Sequence, residues 1–104
     1  MYIIELTYKV PAEQIDENMA PHMKYLDKYY NTGHFIASGR KEPRDGGIIL
    51  ATAENIEEMN KIVAEDPFNI LGLADYRVIQ FRATKKIKGF DVLESEDTVI
   101  NFPY

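Results

Sequence analysis

A chain of 104 residues has room for one domain and one modest core. It contains no cysteine, which excludes disulfides, thiol nucleophiles and Cys-ligated zinc, and which fits a cytoplasmic setting. Its formal charge of -5, from 12 basic and 17 acidic residues, argues against nucleic acid as a partner, because phosphate binding calls for a basic patch.

Tyr2 to Val10, "YIIELTYKV", alternates Tyr2, Ile4, Leu6, Tyr8 and Val10 with Ile3, Glu5, Thr7 and Lys9. That is the period of a strand with one buried face. The segment has no basic leader, and no apolar run in the chain approaches the ~20 residues of a membrane helix, so neither a signal peptide nor a membrane span is expected. Pro11 suits a first helical position, and a helical pattern runs from there to about Thr32, where Gly33 supplies a stop. "HFIASG" (His34 to Gly39) reads as the second strand. "RKEPRDGG" reads as a hairpin loop with Asp45-Gly46 as its turn signal, and "IILATA" (Ile48 to Ala53) as the third strand.

Asn55 followed by Glu58 resembles a capping box and opens a helix to about Glu65, which Pro67 ends by disfavouring helical geometry at Asp66. "NILGLA" is a loop or short turn, and "DYRVIQFRAT" (Asp75 to Thr84) the fourth strand. The order βαββαβ is that of a ferredoxin-like α+β domain over residues 1–84, with both helices on one face of a four-stranded antiparallel sheet. The other sheet face carries apolar side chains, and a second copy packed sheet against sheet is the simplest cover for it. Seven tyrosines and five phenylalanines suit such a half-wet surface. "KKIK" (Lys85 to Lys88) reads as a solvated turn. The remainder of the 85–104 extension either adds an edge strand, packs on a partner chain, or stays a disordered tail.

Chemistry-bearing residues stand out at two places. At ~100° per residue from Ile15, the first helix places Met19 at about 40°, Leu26 at about 20° and Tyr29 at about -40°. His22 falls at about -20°, in the middle of this inward stripe. Pro21 beside it removes a helical hydrogen bond to Glu17 and should kink the helix. On the second helix, Asp66 falls within the apolar stripe of Ile56, Met59 and Val63. A buried carboxylate needs partners: Asp66 either pairs with His22 or caps the "PFN" turn. If the two pair, the carboxylate fixes the imidazole tautomer and leaves the second ring nitrogen for general acid or base work.

Ser38, at a strand end, either reaches the same cavity or is a turn hydroxyl. Arg44, in the glycine-rich hairpin, either holds a substrate oxygen or belongs to a plain loop. His34 reads as a surface residue at a strand start, and the Tyr29-Tyr30 pair as packing. Two scattered histidines give no metal-site spacing, and the hairpin fits no nucleotide-binding pattern, so no cofactor is expected.

The motifs "ELTYKV", "H…YLDKYY..G.FIASG", "PR.GGIILA", "EDPF" and "GLADYRVI.F" together resemble the YciI-like (YCII-related) family over residues 1 to 84. The resemblance implies a ferredoxin-like fold that dimerises through its sheets, as in dimeric α/β-barrel proteins. It also implies a His–Asp site at His22 and Asp66, with Ser38 and Arg44 at the family's "SG" and "PR.GG" positions. A relative in this family eliminates chloride from a chlorinated hydroxyquinone. The leading expectation is therefore a small cofactor-free lyase or isomerase moving a proton on a small cyclic or phenolic substrate. A non-enzymatic ligand-binding or interaction module with structural His and Asp is the alternative, and a cofactor-free or haem-handling oxygenase is a weaker third.

Overall fold

The structure is a computed structural model, and it describes residues 1–90. The edge-strand or tail reading of the extension beyond residue 90 lies outside the described residues. Four strands, β1 (Tyr2–Tyr8), β2 (Phe35–Arg40), β3 (Gly46–Ala51) and β4 (Ala74–Gln80), form one antiparallel sheet in the order β2-β3-β1-β4. Helices α1 (Ala12–Glu17), α2 (Met19–Asn31), α3 (Ile56–Ala64) and the short α4 (Pro67–Ile70) supply the connections. The fold is the expected ferredoxin-like α+β arrangement.

Alternation along β1 sets which face is covered. Tyr2, Ile4 and Leu6 are buried, and they join Ile15, Tyr25, Leu26, Met59, Ile62, Val63 and Phe68 from the helical layer in one core. At ~25 cal/mol per Å² of apolar surface removed from water, this shared layer is the main force that holds the helices on the sheet. Register puts Ile3 between Leu50 and Ile79 on the opposite face. All three are only partly buried, so the outer face has an apolar row open to water.

Several local expectations are revised. The first helical stretch is interrupted at Asn18, not kinked at Pro21. Pro21 is the third residue of α2, where a backbone N–H has no intrahelical acceptor, so the ring removes nothing the helix needs. Pro11 sits at the N-cap with extended geometry, one position before the helix proper. The "NILGLA" region begins inside α4, a single turn that Gly72 leaves with φ of 69°.

Gly46 is not a turn residue but the first of β3, paired with Thr7. A side chain there would put its Cβ 1.8 Å from the Leu6 carbonyl oxygen, so only glycine lets β3 lie against β1. The Asn55 cap forms as read: its side chain accepts from the Glu58 N–H at 2.8 Å. The Glu58 carboxylate returns to the N–H of Glu54, not of Asn55, also at 2.8 Å.

Candidate functional site

Asp66 lies between the end of α3 and the start of α4, and its side chain serves both purposes read from the sequence. It caps α4: Oδ1 accepts from the Phe68 N–H at 3.0 Å. The same oxygen accepts from Nδ1 of His22 at 2.8 Å. Oδ2 accepts from the Tyr76 hydroxyl at 2.5 Å. Three donors thus converge on a carboxylate that is wholly buried, and both its oxygens act as acceptors. The cost of burying the group is met by this set of hydrogen bonds.

His22 is held on two further sides. It is on the inward stripe of α2 with Tyr25, Leu26 and Tyr29. Its ring stacks on Phe68 with centroids 4.0 Å apart and an interplanar angle of 6°. Because Asp66 can only accept at Nδ1, the ring proton belongs on Nδ1. Nε2 is the nitrogen left for other work. His22 also lines a cavity of about 240 Å³, together with Leu6, Met19, Ser38, Arg40 and Arg44.

The cavity brings together three of the four residues singled out from sequence, and the fourth, Asp66, stands behind His22. Ser38 faces the helices because β2 places it opposite Ile49, and its Oγ is 2.6 Å from the Tyr30 hydroxyl. Arg44, in the hairpin between β2 and β3, donates from Nη2 to Asp16 Oδ1 of α1 at 2.6 Å. That hydrogen bond is the largest influence on the Asp16 carboxyl, and with the charges of Arg44 and Arg40 it outweighs desolvation and holds the group below its usual range. Arg44 Nε is buried and has no hydrogen-bond partner among the described residues.

His34 is outside this group. It lies beside Thr32 at 2.7 Å and 3.6 Å from Glu58, with Tyr29 against its ring. Tyr29 is a core residue, whereas the Tyr30 hydroxyl reaches Ser38.

Tyr76, Phe68 and Arg40 were not singled out in the sequence, although signals for two of them are there. Alternation in β4 puts Tyr76 on the same face as Val78, in register with Leu6 beneath the helices. Arg40 is two residues after Ser38 and so shares its face. Phe68 carries no such signal, since its stacking on His22 depends on the angle at which α4 leaves Asp66. Burial, followed by the neighbouring Asp66 charge, pushes the Tyr76 phenol far up, so it stays a hydrogen-bond donor.

Among solved structures, the chain is similar to 5-chloro-2-hydroxyhydroquinone dehydrochlorinase (TftG) from Burkholderia phenoliruptrix AC1100, in complex with 2,5-dihydroxybenzoquinone. The TM-score is 0.65 at 20% identity, covering 79% of this chain and 94% of that one. This likeness establishes a shared fold. A search of curated proteins gave no match. The family model for the YCII-related domain matches residues 1–82, which hold all four strands and all the helices described above. The chain belongs to the YCII-related family.

Proposed function

We propose that the cavity is the active site of a small enzyme of lyase or isomerase type. In this reading His22 moves a proton on a small cyclic or phenolic substrate, Asp66 orients the imidazole, and Ser38 and Arg44 hold substrate oxygens. The observation that carries it is the 2.8 Å contact of His22 Nδ1 with buried Asp66, on a histidine that also lines the cavity. In the neutral ring, a carboxylate on one nitrogen fixes the tautomer and leaves the other nitrogen to take up a proton, as a general base requires. The fold neighbour adds support of a weaker kind: it acts on a chlorinated hydroxyhydroquinone and holds a dihydroxyquinone.

An elimination of that type balances without an oxidant. His22 Nε2 accepts a proton from the substrate, the electron pair left behind forms a new π bond, and the leaving group departs with its own pair. An isomerisation differs only in that the proton returns at another ring position.

The test is turnover of a panel of halogenated and unhalogenated hydroxyhydroquinones, followed by absorbance and by halide release. His22→Gln should lose about 10²- to 10⁴-fold in kcat, the usual worth of a positioned general base, with its melting temperature close to that of the native protein. Full turnover in His22→Gln would defeat the reading. Ligand binding without turnover in the native protein would favour the alternative, a ligand-binding module.

We infer in addition that two copies pair through the outer sheet face, whose Ile3, Leu50 and Ile79 form an apolar row across three strands. Sedimentation of the native chain and of Ile79→Lys tests this. A dimer that the substitution dissociates is expected, and a native monomer would contradict it.

A further inference from the structure

The charge of the cavity runs against the charge of the chain. Acidic residues outnumber basic ones 17 to 12 overall. Yet the charged side chains among the cavity-lining residues are Arg40 and Arg44, with His22 and Tyr8 beside them, and no carboxylate is among the described lining residues. Two guanidinium groups on one wall raise the local concentration of anions and select against cations.

Arg44 carries a second, independent sign. Its Nη2 is taken up by Asp16, but its Nε is buried with no acceptor among the described residues. An unmet buried donor is costly, and a bound oxygen would recover that cost. The Asp16 side chain remains 60% exposed, so the carboxylate that engages Arg44 is itself free to swing into water. Guanidinium groups suit this exchange, because their fork of donors fits one carboxylate or oxyanion as well as another.

Resting on the reading of this cavity as the substrate site, we propose that it takes its substrate as an anion bound by Arg44 and Arg40. Asp16 is then the competing carboxylate that holds Arg44 until the substrate displaces it. The ligand class is a small ring bearing either an acidic ring hydroxyl in its ionised form or a ring carboxylate. The anionic oxygen lies against the arginine wall, which leaves His22 Nε2 to face another edge of the ring. Asp16 also confers selectivity, since a neutral ring cannot compete with it for Arg44.

The experiment is calorimetric titration of the full chain at neutral pH with three probes. These are 2,5-dihydroxybenzoquinone, which ionises as a vinylogous acid, its 2,5-dimethoxy ether, which cannot ionise, and 2,5-dihydroxybenzoate. At least one ionised ring should bind tenfold or more tightly than the ether, and the better of the two identifies the source of the charge. Arg44→Gln should weaken that binding about tenfold or more, the worth of a hydrogen bond to a charged group, and Arg44→Lys should restore part of it. Asp16→Asn should strengthen it about two- to fivefold, the scale of an exposed ion pair.

Equal binding of the ether and the ionised rings overturns the inference and leaves the cavity as a substrate site. Weaker binding in Asp16→Asn overturns the competing role of Asp16. Failure of all three rings to bind, with no shift of cavity resonances in NMR spectra, overturns the inference and the substrate-site reading together.

Discussion

The two ends of the cavity are built on opposite principles. At the Asp66 end both carboxylate oxygens are engaged: one carboxylate serves His22, Phe68 and Tyr76, and an aromatic ring covers the imidazole. At the Arg44 end a guanidinium gives Nη2 to a partly exposed carboxylate and keeps an Nε with no acceptor among the described residues. The first arrangement is complete before any ligand arrives, which the proposed catalytic role requires, because misplacement by an ångström is costly. The second is unfinished, as a binding group must be if a ligand is to add something. In the proposed active site positioning and recognition are thus separate, with Asp66 and Tyr76 of β4 at one end and Arg44 of the β2–β3 hairpin at the other.

If that contrast holds, substitutions at the two ends differ in what they damage. Asp66→Ala should produce the largest loss of stability, about 3–5 kcal/mol by chemical denaturation, since it strips three buried donors of their acceptor. A loss below about 1 kcal/mol, the range of exposed pairs, would erase the distinction. Tyr76→Phe removes one of the three donors and keeps the ring, and it should cost about 1 kcal/mol. It should also lower kcat more than it raises KM, because it loosens the carboxylate without touching the arginine wall.

Alkaline titration sharpens the same contrast. Burial, with the nearby Asp66 charge, raises the phenols of Tyr25 and Tyr76 far above the ordinary value of 10.0. A group whose pKa is raised on folding contributes stability that is complete below its unfolded value and fades as pH climbs above it. Stability should therefore fall above about pH 10, and these two tyrosines should form tyrosinate only as the chain unfolds, seen in absorbance. Ionisation of all seven tyrosines in the folded state would contradict the burial argument.

The smallest effect is expected at Glu65, an exposed counterpart to Asp66. Its carboxylate accepts from Tyr29 and Lys28, and these two hydrogen bonds, in that order, hold it below its usual range. Its side chain is 45% exposed, so solvent screens the effect and Glu65→Gln should cost well under 1 kcal/mol at neutral pH. The sign is opposite to that of the tyrosines. Stability from a depressed carboxylate is present above the unfolded value of 4.5 and is lost as pH falls through the lower folded one. The gap between native protein and Glu65→Gln should close at acid pH, and a gap that widens there would contradict the assignment.

Much of this arrangement was legible in the sequence, for reasons that differ by residue. The strand period of β1 and the inward stripe around His22 follow from side-chain periodicity alone, which tertiary contacts seldom override. Asp66 was ambiguous between capping and pairing because the sequence does not say that one oxygen can do both. Pro21 misled, since where a helix restarts decides whether its missing N–H matters, and that depends on Asn18. Gly46 looked like a turn residue, but its role is set by the approach of the Leu6 carbonyl, a contact between residues 40 apart in sequence. The stack of Phe68 on His22 was out of reach for the same reason, being fixed by the angle between two helices.

The most direct test of the account is the tautomer of His22, read from long-range ¹H–¹⁵N correlations of the two ring nitrogens in the native protein and in Asp66→Asn. In the native protein the neutral form of the imidazole should carry its proton on Nδ1 and leave Nε2 bare, and Asp66→Asn should lose that single-tautomer pattern. A native His22 carrying its neutral proton on Nε2, or a pattern unchanged by Asp66→Asn, would contradict it.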